Sequence, residues 1–98
     1  MNVFRSKHQG CAAALRYVLG SAAHRKTFVE HNQRGETFLF LDEQGQCPEI
    51  ERQFFAGELA ISDARALIES FFAIKRSLAA AFASGGTWEN PAECPQPE

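Results

Sequence analysis

The stretch HRKTFVEHNQRGETFLFLD (residues 24–42) decides the fold class of this chain of 98 residues. TFVEH and ETFLFLD are rich in the Phe, Val and Thr residues that favour strands, and the NQRG between them has the polar, glycine-ended character of a hairpin loop. The stretch therefore predicts a β-hairpin. The alternative is that residues 21–34 continue as a helix that Gly35 closes, which leaves a single strand.

The second strand of this hairpin is apolar on both faces. Phe38 and Phe40 point one way and Leu39 and Leu41 point the other, because successive side chains of a strand alternate. A two-stranded ribbon of this kind needs cover on both faces. One layer of helices covers only one face, so the sequence leaves the second face to be explained.

A helical pattern precedes the hairpin. From about Ser6 to Leu19, apolar side chains recur at helical spacing on one face, and Phe4 and His8 join that face. Ser6 fits an N-cap and Gly20 fits a stop signal. We therefore expect an N-terminal helix with its apolar side turned inward.

Two further helices are predicted after the hairpin. Pro48 fits the first position of a short helix, and Gly57 fits its left-handed end. Ser62 fits the N-cap of a longer helix that runs from Asp63 to about Ala83. The order of elements predicts an α+β fold with an N-terminal helix, a β-hairpin, a short helix and a long C-terminal amphipathic helix.

The length of the chain is that of one domain. We assign residues 1–86 to this single domain. The remaining segment, TWENPAECPQPE (residues 87–98), is acidic and rich in proline, and we interpret it as a C-terminal tail that Trp88 anchors to the body.

The long C-terminal helix has a broad apolar arc. The residues that fill this arc are Ala64, Leu67, Ile68, Phe71, Ile74, Leu78 and Phe82. Lys75 falls inside the arc, so its ammonium must either extend to solvent along its alkyl stem or meet a carboxylate. We expect the arc to face the core.

The two predicted C-terminal helices carry four phenylalanines, in FFAGELAISDARALIESFF (residues 54–72). Phe54 and Phe71 lie on the main apolar stripes of their helices, whereas Phe55 and Phe72 lie off them. Burying an aromatic side chain is worth about 1.5 to 3 kcal/mol, so we expect the off-stripe pair to be covered. A homodimer would supply this cover and that of the second strand face. The predicted interface residues are Phe38, Leu39, Phe40, Leu41, Phe55 and Phe72.

Charge is segregated along the chain although the net charge is only −2. Residues 1–34 carry a net charge of +5, and residues 35–63 carry a net charge of −6. Such segregation steers association. The basic third could also neutralise the phosphates of a nucleic acid. The candidate contacts are Arg5, Lys7, Arg16, Arg25, Lys26 and Arg34.

The three cysteines, Cys11, Cys47 and Cys94, form no closely spaced pair. This usage argues against a secreted disulfide scaffold and indicates a cytoplasmic protein. No stretch approaches the roughly 18 apolar residues of a transmembrane helix, so we expect no contact with a membrane.

Metal and thiol chemistry have weak signals. His8 and Cys11 share a helical face at a spacing of i, i+3, but the other histidines and cysteines show no paired spacing that would complete a zinc site. We therefore predict no metal and no cofactor. Cys47 precedes Pro48 at a helix start, where the helix dipole can lower the pKa of a thiol, and it is the one candidate nucleophile.

These patterns predict a small bacterial accessory or regulatory protein that is not an enzyme and acts by protein–protein association, as a homodimer with a macromolecular partner. The first alternative is a nucleic-acid-binding regulator that uses the basic N-terminal third. A thiol-dependent enzyme or redox sensor at Cys47 is the last alternative.

Overall fold

The computed structural model describes residues 2–30 and 35–91. In these ranges the chain is an α+β fold with three α-helices and a four-stranded antiparallel sheet. The elements in chain order are β1 (Val3–Ser6), α1 (Gln9–Leu19), a short 3₁₀ helix (Ser21–Ala23), β2 (His24–Glu30), β3 (Gly35–Leu41), α2 (Cys47–Ala56), α3 (Ala64–Ala83) and β4 (Thr87–Glu89).

The predicted hairpin is confirmed. β2 and β3 pair antiparallel from His24 opposite Phe40 to Glu30 opposite Gly35, and a register shift between His24 and Lys26 bulges β2. The alternative of a helix over residues 21–34 is wrong, because His24–Glu30 is a strand. The predicted loop residues 31–34 lie outside the described residues.

The predicted N-terminal helix is present as α1, but it begins at Gln9, and a strand that the sequence did not predict, β1, precedes it. Phe4 lies opposite Phe40 and Ser6 lies opposite Phe38, so both residues belong to β1. Pairing with the central strand outweighs the local helical pattern here. His8, and not Ser6, caps α1: its Nδ1 accepts a hydrogen bond from the Cys11 N–H at 3.1 Å.

The sheet also extends beyond residue 86, which the sequence places at the end of the domain. Gly85 and Gly86 turn the chain at φ of +86° and +129°, and Thr87–Glu89 then pairs with β2 as an edge strand. Trp88 lies opposite Thr27, and its ring lies 4.9 Å from that of His24. Residues 92–98 of the predicted tail lie outside the described residues.

The strand order is β1-β3-β2-β4. Helix α1 connects β1 to β2, and β3 lies between these two strands in the sheet. Helices α2 and α3 connect β3 to β4, and β2 lies between those two strands. Each connection is therefore a split crossover that skips one strand.

All three helices pack on the face of the sheet that carries Phe38 and Phe40. Side chains of α1, α2 and α3 form one buried cluster with these two rings, and both rings are fully buried. Phe38 and Phe40 were predicted as interface residues, and this part of the prediction is wrong, because the chain's own helices cover them. The buried cluster comprises Cys11, Ala12, Ala13, Leu15, Phe38, Phe40, Cys47, Ile50 and Ile74.

The ends of the two later helices follow the sequence signals closely. Gly57 ends α2 at φ +73°, as predicted for a left-handed cap, and Pro48 lies in its first turn. α3 starts one residue later than predicted, because the carboxylate of Asp63, and not the hydroxyl of Ser62, accepts from the Ala66 N–H at 3.1 Å.

Candidate interaction surface

The outer side of α3 presents large apolar side chains to solvent. Ile68, Phe72 and Phe82 are 53%, 53% and 57% exposed, and Lys75 and Ala79, which lie between them, are also exposed. The spacing of these five positions is four, three, four and three residues, which is the repeat of a seam between two packed helices. We call this set of five residues the α3 ridge.

The ridge exists because the apolar arc of α3 is wider than the side that the fold covers. Ile74, Ser77 and Ala81 face the sheet and α1 and are buried, and Phe71 packs against the core cluster. Ile68 and Phe82 were expected in the core. Both lie instead on the uncovered half of the arc, because one sheet and one neighbouring helix reach only the other half.

Lys75 lies at the centre of the ridge and is exposed. Its Nζ lies 5.2 Å from the centroid of the Phe71 ring, where the ammonium interacts with the aromatic face. Beside the ridge, Arg65 pairs with Glu69 at 3.5 Å and Arg76 is exposed. The ridge and its border thus carry more positive than negative charge.

Phe55, on α2, is exposed to 58%. Its ring meets those of His8 and Phe54 edge-on, with centroids 5.2 and 5.1 Å away. Both off-stripe phenylalanines, Phe55 and Phe72, therefore remain more than half exposed in a single chain. Their role as interface residues stays a prediction.

The second apolar surface is the face of the sheet opposite the helices. By the strand register, Val3, Leu39, Leu41 and Phe28 point to this face, and the leucines and Phe28 are partly exposed. No helix of the described residues packs on this side, because all three lie on the other. We call it the open sheet face; its further residues are Arg5, Lys26, Glu30, Gly35, Thr37, Thr87 and Glu89.

The basic residues proposed as nucleic-acid contacts are dispersed. Arg16 lies on the helical side of the sheet, where its Nη1 donates to His24 Nδ1 at 2.9 Å. Arg5 and Lys26 lie on the open sheet face, and Lys26 pairs with Glu89 at 3.6 Å. Arg25 donates to the Ala22 carbonyl oxygen at 3.4 Å, and Lys7 is exposed. Arg34 lies outside the described residues.

The surroundings of Cys47, the one candidate nucleophile, do not favour a reactive thiol. It does begin α2, but burial and the neighbouring Asp42 carboxylate raise the pKa of the Cys47 thiol to about 12. Asp42 lies there because it caps the helix, with its two oxygens accepting from the N–H groups of Gln46 at 2.7 Å and Cys47 at 3.2 Å. The helix dipole therefore meets a carboxylate and does not activate the thiol.

His8 and Cys11 serve the fold. The Nδ1 of His8 is occupied by the helix cap, and Cys11 is fully buried, with a pKa raised chiefly by burial. Within residues 2–30 and 35–91, no group of three or more His, Cys, Asp or Glu side chains is placed to hold a metal ion.

A buried chain of hydrogen bonds, which the sequence does not predict, runs between the sheet and the helices. Arg16 Nη1 can only donate, so His24 Nδ1 accepts and Nε2–H donates to Thr27 Oγ1 at 2.8 Å. The Thr27 hydroxyl then donates to Ser77 Oγ at 2.9 Å, and Ser77 donates to the Ile74 carbonyl oxygen at 2.7 Å.

This polar chain holds His24 in the neutral form. Burial, and then the charge of Arg16, lower the pKa of His24 from 6.5 to about 4. His24 and Thr27 are fully buried and Ser77 nearly so, which leaves a substrate no access to them. The arrangement joins β2 to α1 and α3 and has a structural role.

Two of the clefts that the described residues form have apolar side chains in their walls. One, of about 360 Å³, lies where the end of α1 meets the turn after β3, and its lining includes Val18, Leu41 and Glu43. The other, of about 210 Å³, is mainly apolar and lies beside the start of the α3 ridge, between Phe54, Leu59 and Leu67. The second cleft extends the apolar surface of the helical layer.

Comparison with protein-family models, curated proteins and solved structures found no match for this chain. Among the helices of the described residues, none combines the length and the hydropathy that crossing a bilayer requires.

Proposed function

We propose that this protein acts by protein–protein association, forming a homodimer that binds a further macromolecular partner. The observation that carries the proposal is the exposure of Phe55, Ile68, Phe72 and Phe82, each more than half accessible in a single chain. Scattered apolar residues are ordinary on protein surfaces, whereas aligned ones mark interaction sites. Three of these four lie on one stripe of α3.

The two apolar surfaces lie on opposite sides of the chain, so one two-fold interface cannot use both. A two-fold interface places a patch against itself, and the open sheet face suits this arrangement. Its centre holds Leu39 and Phe28, and its charged residues are of both signs, as Lys26 and Glu89 illustrate. Two such faces would pack at about 10 Å with their side chains interleaved.

The α3 ridge is then left for the partner. Lys75, at its midpoint, would face the same lysine of a second copy in a two-fold pairing centred on the ridge. This favours the open sheet face for the homodimer and the ridge for a different chain.

Sedimentation velocity at micromolar concentration tests the homodimer. We expect the wild type to sediment as a dimer and the double variant Leu39→Thr/Leu41→Thr, which keeps strand-forming residues, to sediment as a monomer. The matched ridge variant Phe72→Gln/Phe82→Gln should remain a dimer. Circular dichroism establishes that each variant is folded.

A folded wild-type monomer at 100 µM would rule out the homodimer. Dissociation by the ridge variant, with the sheet variant unaffected, would move the interface to the ridge.

A nucleic-acid partner is the other candidate that the sequence raises. The dispersal of Arg5, Arg16 and Lys26 over two sides of the chain gives it no specific support. It remains a prediction for an anisotropy titration, in which salt-dependent binding of DNA would revive it.

A further inference from the structure

We infer that the α3 ridge docks an amphipathic helix of another protein that carries a carboxylate at its centre, opposite Lys75. The inference rests on the proposed function, since it names the chemistry of the partner that the ridge binds.

The shape of the ridge fits a helix. Its five positions run from Ile68 to Phe82, which at 1.5 Å per residue is a length of about 21 Å, or four helical turns. Alternating steps of four and three residues keep the stripe straight against a partner helix, whose side chains fit between the protruding Ile68, Phe72 and Phe82. A helix of about 15 residues would cover it.

The charge of the ridge selects an acidic partner. Lys75 is seven residues from each end of the ridge, with apolar residues on both sides along the stripe. A docked helix would take water away from this ammonium, and a carboxylate on the partner opposite it would offset the lost hydration. Arg76 beside the ridge adds a second positive charge, and Arg65 is already paired with Glu69.

The helices of a second copy do not meet these requirements. An α3 from another copy would bring Lys75 against Lys75. On α2, Phe55 is the one large apolar residue that points outward. The Glu49 carboxylate of this helix is already paired with Arg52 at 2.7 Å, and Arg52 also pairs with Glu58. These features of α2 and α3 favour a different chain as the partner.

An anionic membrane also attracts helices with aromatic and basic residues. On such helices the basic residues border the apolar face, so that their charges reach the headgroups. Lys75 lies instead in the middle of the stripe, between Phe72 and Ala79. The position of this charge favours a carboxylate-bearing helix over a lipid surface.

The test uses the full-length protein and two synthetic, fluorescein-labelled peptides of about 18 residues. Both peptides form the same helix, with leucines at a four–three spacing, and they differ only in a central Glu or Lys. Fluorescence anisotropy at about 0.15 M salt gives the dissociation constants. We expect the Glu peptide to bind the wild type at least about tenfold more tightly than the Lys peptide.

Charge reversal makes the test specific. The variant Lys75→Glu should reverse the preference, and Phe72→Gln should weaken both peptides. The matched control Lys7→Glu makes the same charge change at an exposed lysine away from the ridge, and it should leave the preference as in the wild type.

Three results would overturn the inference. They are no binding of either peptide at 100 µM, equal affinity for the two peptides, and ridge-dependent binding of phosphatidylserine vesicles that exceeds peptide binding. Because the homodimer is measured separately by sedimentation, a dimer that binds neither peptide would remove this inference and leave association through the open sheet face intact.

Discussion

Acidification from pH 7 to pH 5 should destabilise the fold through His24. Burial and the Arg16 guanidinium lower the pKa of this imidazole from 6.5 to about 4 in the folded chain. The unfolded chain therefore binds the proton more tightly, and stability falls as the pH falls. The stabilisation from neutral His24 is complete above pH 6.5 and is lost progressively between pH 6.5 and pH 4.

The size of the effect follows from the two pKa values. One pKa unit corresponds to about 1.4 kcal/mol, so the whole difference is worth roughly 3 kcal/mol, of which about 2 kcal/mol is lost between pH 7 and pH 5. The titration of Glu49 does not contribute to the loss of stability between pH 7 and pH 5. Arg52 and Gln53 lower its pKa from 4.5 to about 2, so its effect lies at lower pH.

Urea denaturation at pH 7, 6 and 5 measures this loss, with the fluorescence of Trp88, whose ring lies 4.9 Å from that of His24, as the probe. The variant His24→Gln keeps a donor and an acceptor but does not titrate, so its stability should depend less on pH over this range, although it is lower at pH 7. An NMR titration of the His24 ring gives the folded pKa directly. The reasoning is refuted if that pKa exceeds 6, or if the wild type and His24→Gln lose equal stability on acidification.

Three further predictions concern the ends of α2. Asp42→Ala should cost about 1 to 2 kcal/mol of unfolding free energy, because two N–H groups lose their acceptor, and Asp42→Asn should cost less; equal stability of all three proteins in urea would contradict the capping role. Gly57→Ala should cost about 1 kcal/mol, with Gly57→Asn milder, because the residue has φ +73° and no heavy atom lies within 4 Å of an added Cβ. A thermally neutral Gly57→Ala would show that this strain is absent. Iodoacetamide should label Cys47 in urea but not in the folded protein at pH 7.5, because burial and Asp42 raise the pKa of its thiol. Peptide mass spectrometry measures the labelling. Rapid labelling of the folded protein would restore the reactive-thiol hypothesis.

The sequence predicted those elements whose signals are local. The Phe, Val and Thr content of two neighbouring segments and the NQRG between them indicated β2 and β3, and Pro48 and Gly57 indicated the limits of α2. β1 and β4 escaped prediction because each has at most four residues, and each is held by pairing with a strand distant in the chain. No local pattern specifies such a pairing.

Buried polar contacts escaped prediction for a related reason. Asp42 is just beyond β3 in the sequence and reads as a turn residue, but its capping role depends on where the following turn returns the chain. His24 likewise becomes a neutral, buried residue only once Arg16 and Thr27 are brought to its two ring nitrogens. The residue types were visible in the sequence, and their partners were not.

The candidate surface was predicted in part, and the error shows what an apolar pattern can specify. Phe72 was correctly placed outside the core stripe, whereas Ile68 and Phe82 were placed inside it. When the apolar arc covers more than half of a helix, the sequence predicts that part of the arc is buried, but it does not predict which part. The elements that pack against the helix determine which residues of the arc they cover.

Among the described residues, the exposed apolar side chains aligned on α3 differ from the single exposed valines on other elements, and the aligned set is the one that calls for a helical partner. Val3 and Val18 are 47% and 44% exposed and lie on different elements, as single surface residues commonly do. Ile68, Phe72 and Phe82 are more exposed, larger on average, and aligned on one helix with a lysine at their midpoint. A chain this short has little stability to spare, and a ligand that binds only the folded state adds to it by mass action. Occupation of the α3 ridge should therefore raise the unfolding temperature, and the rise should depend on Lys75 if a carboxylate meets it.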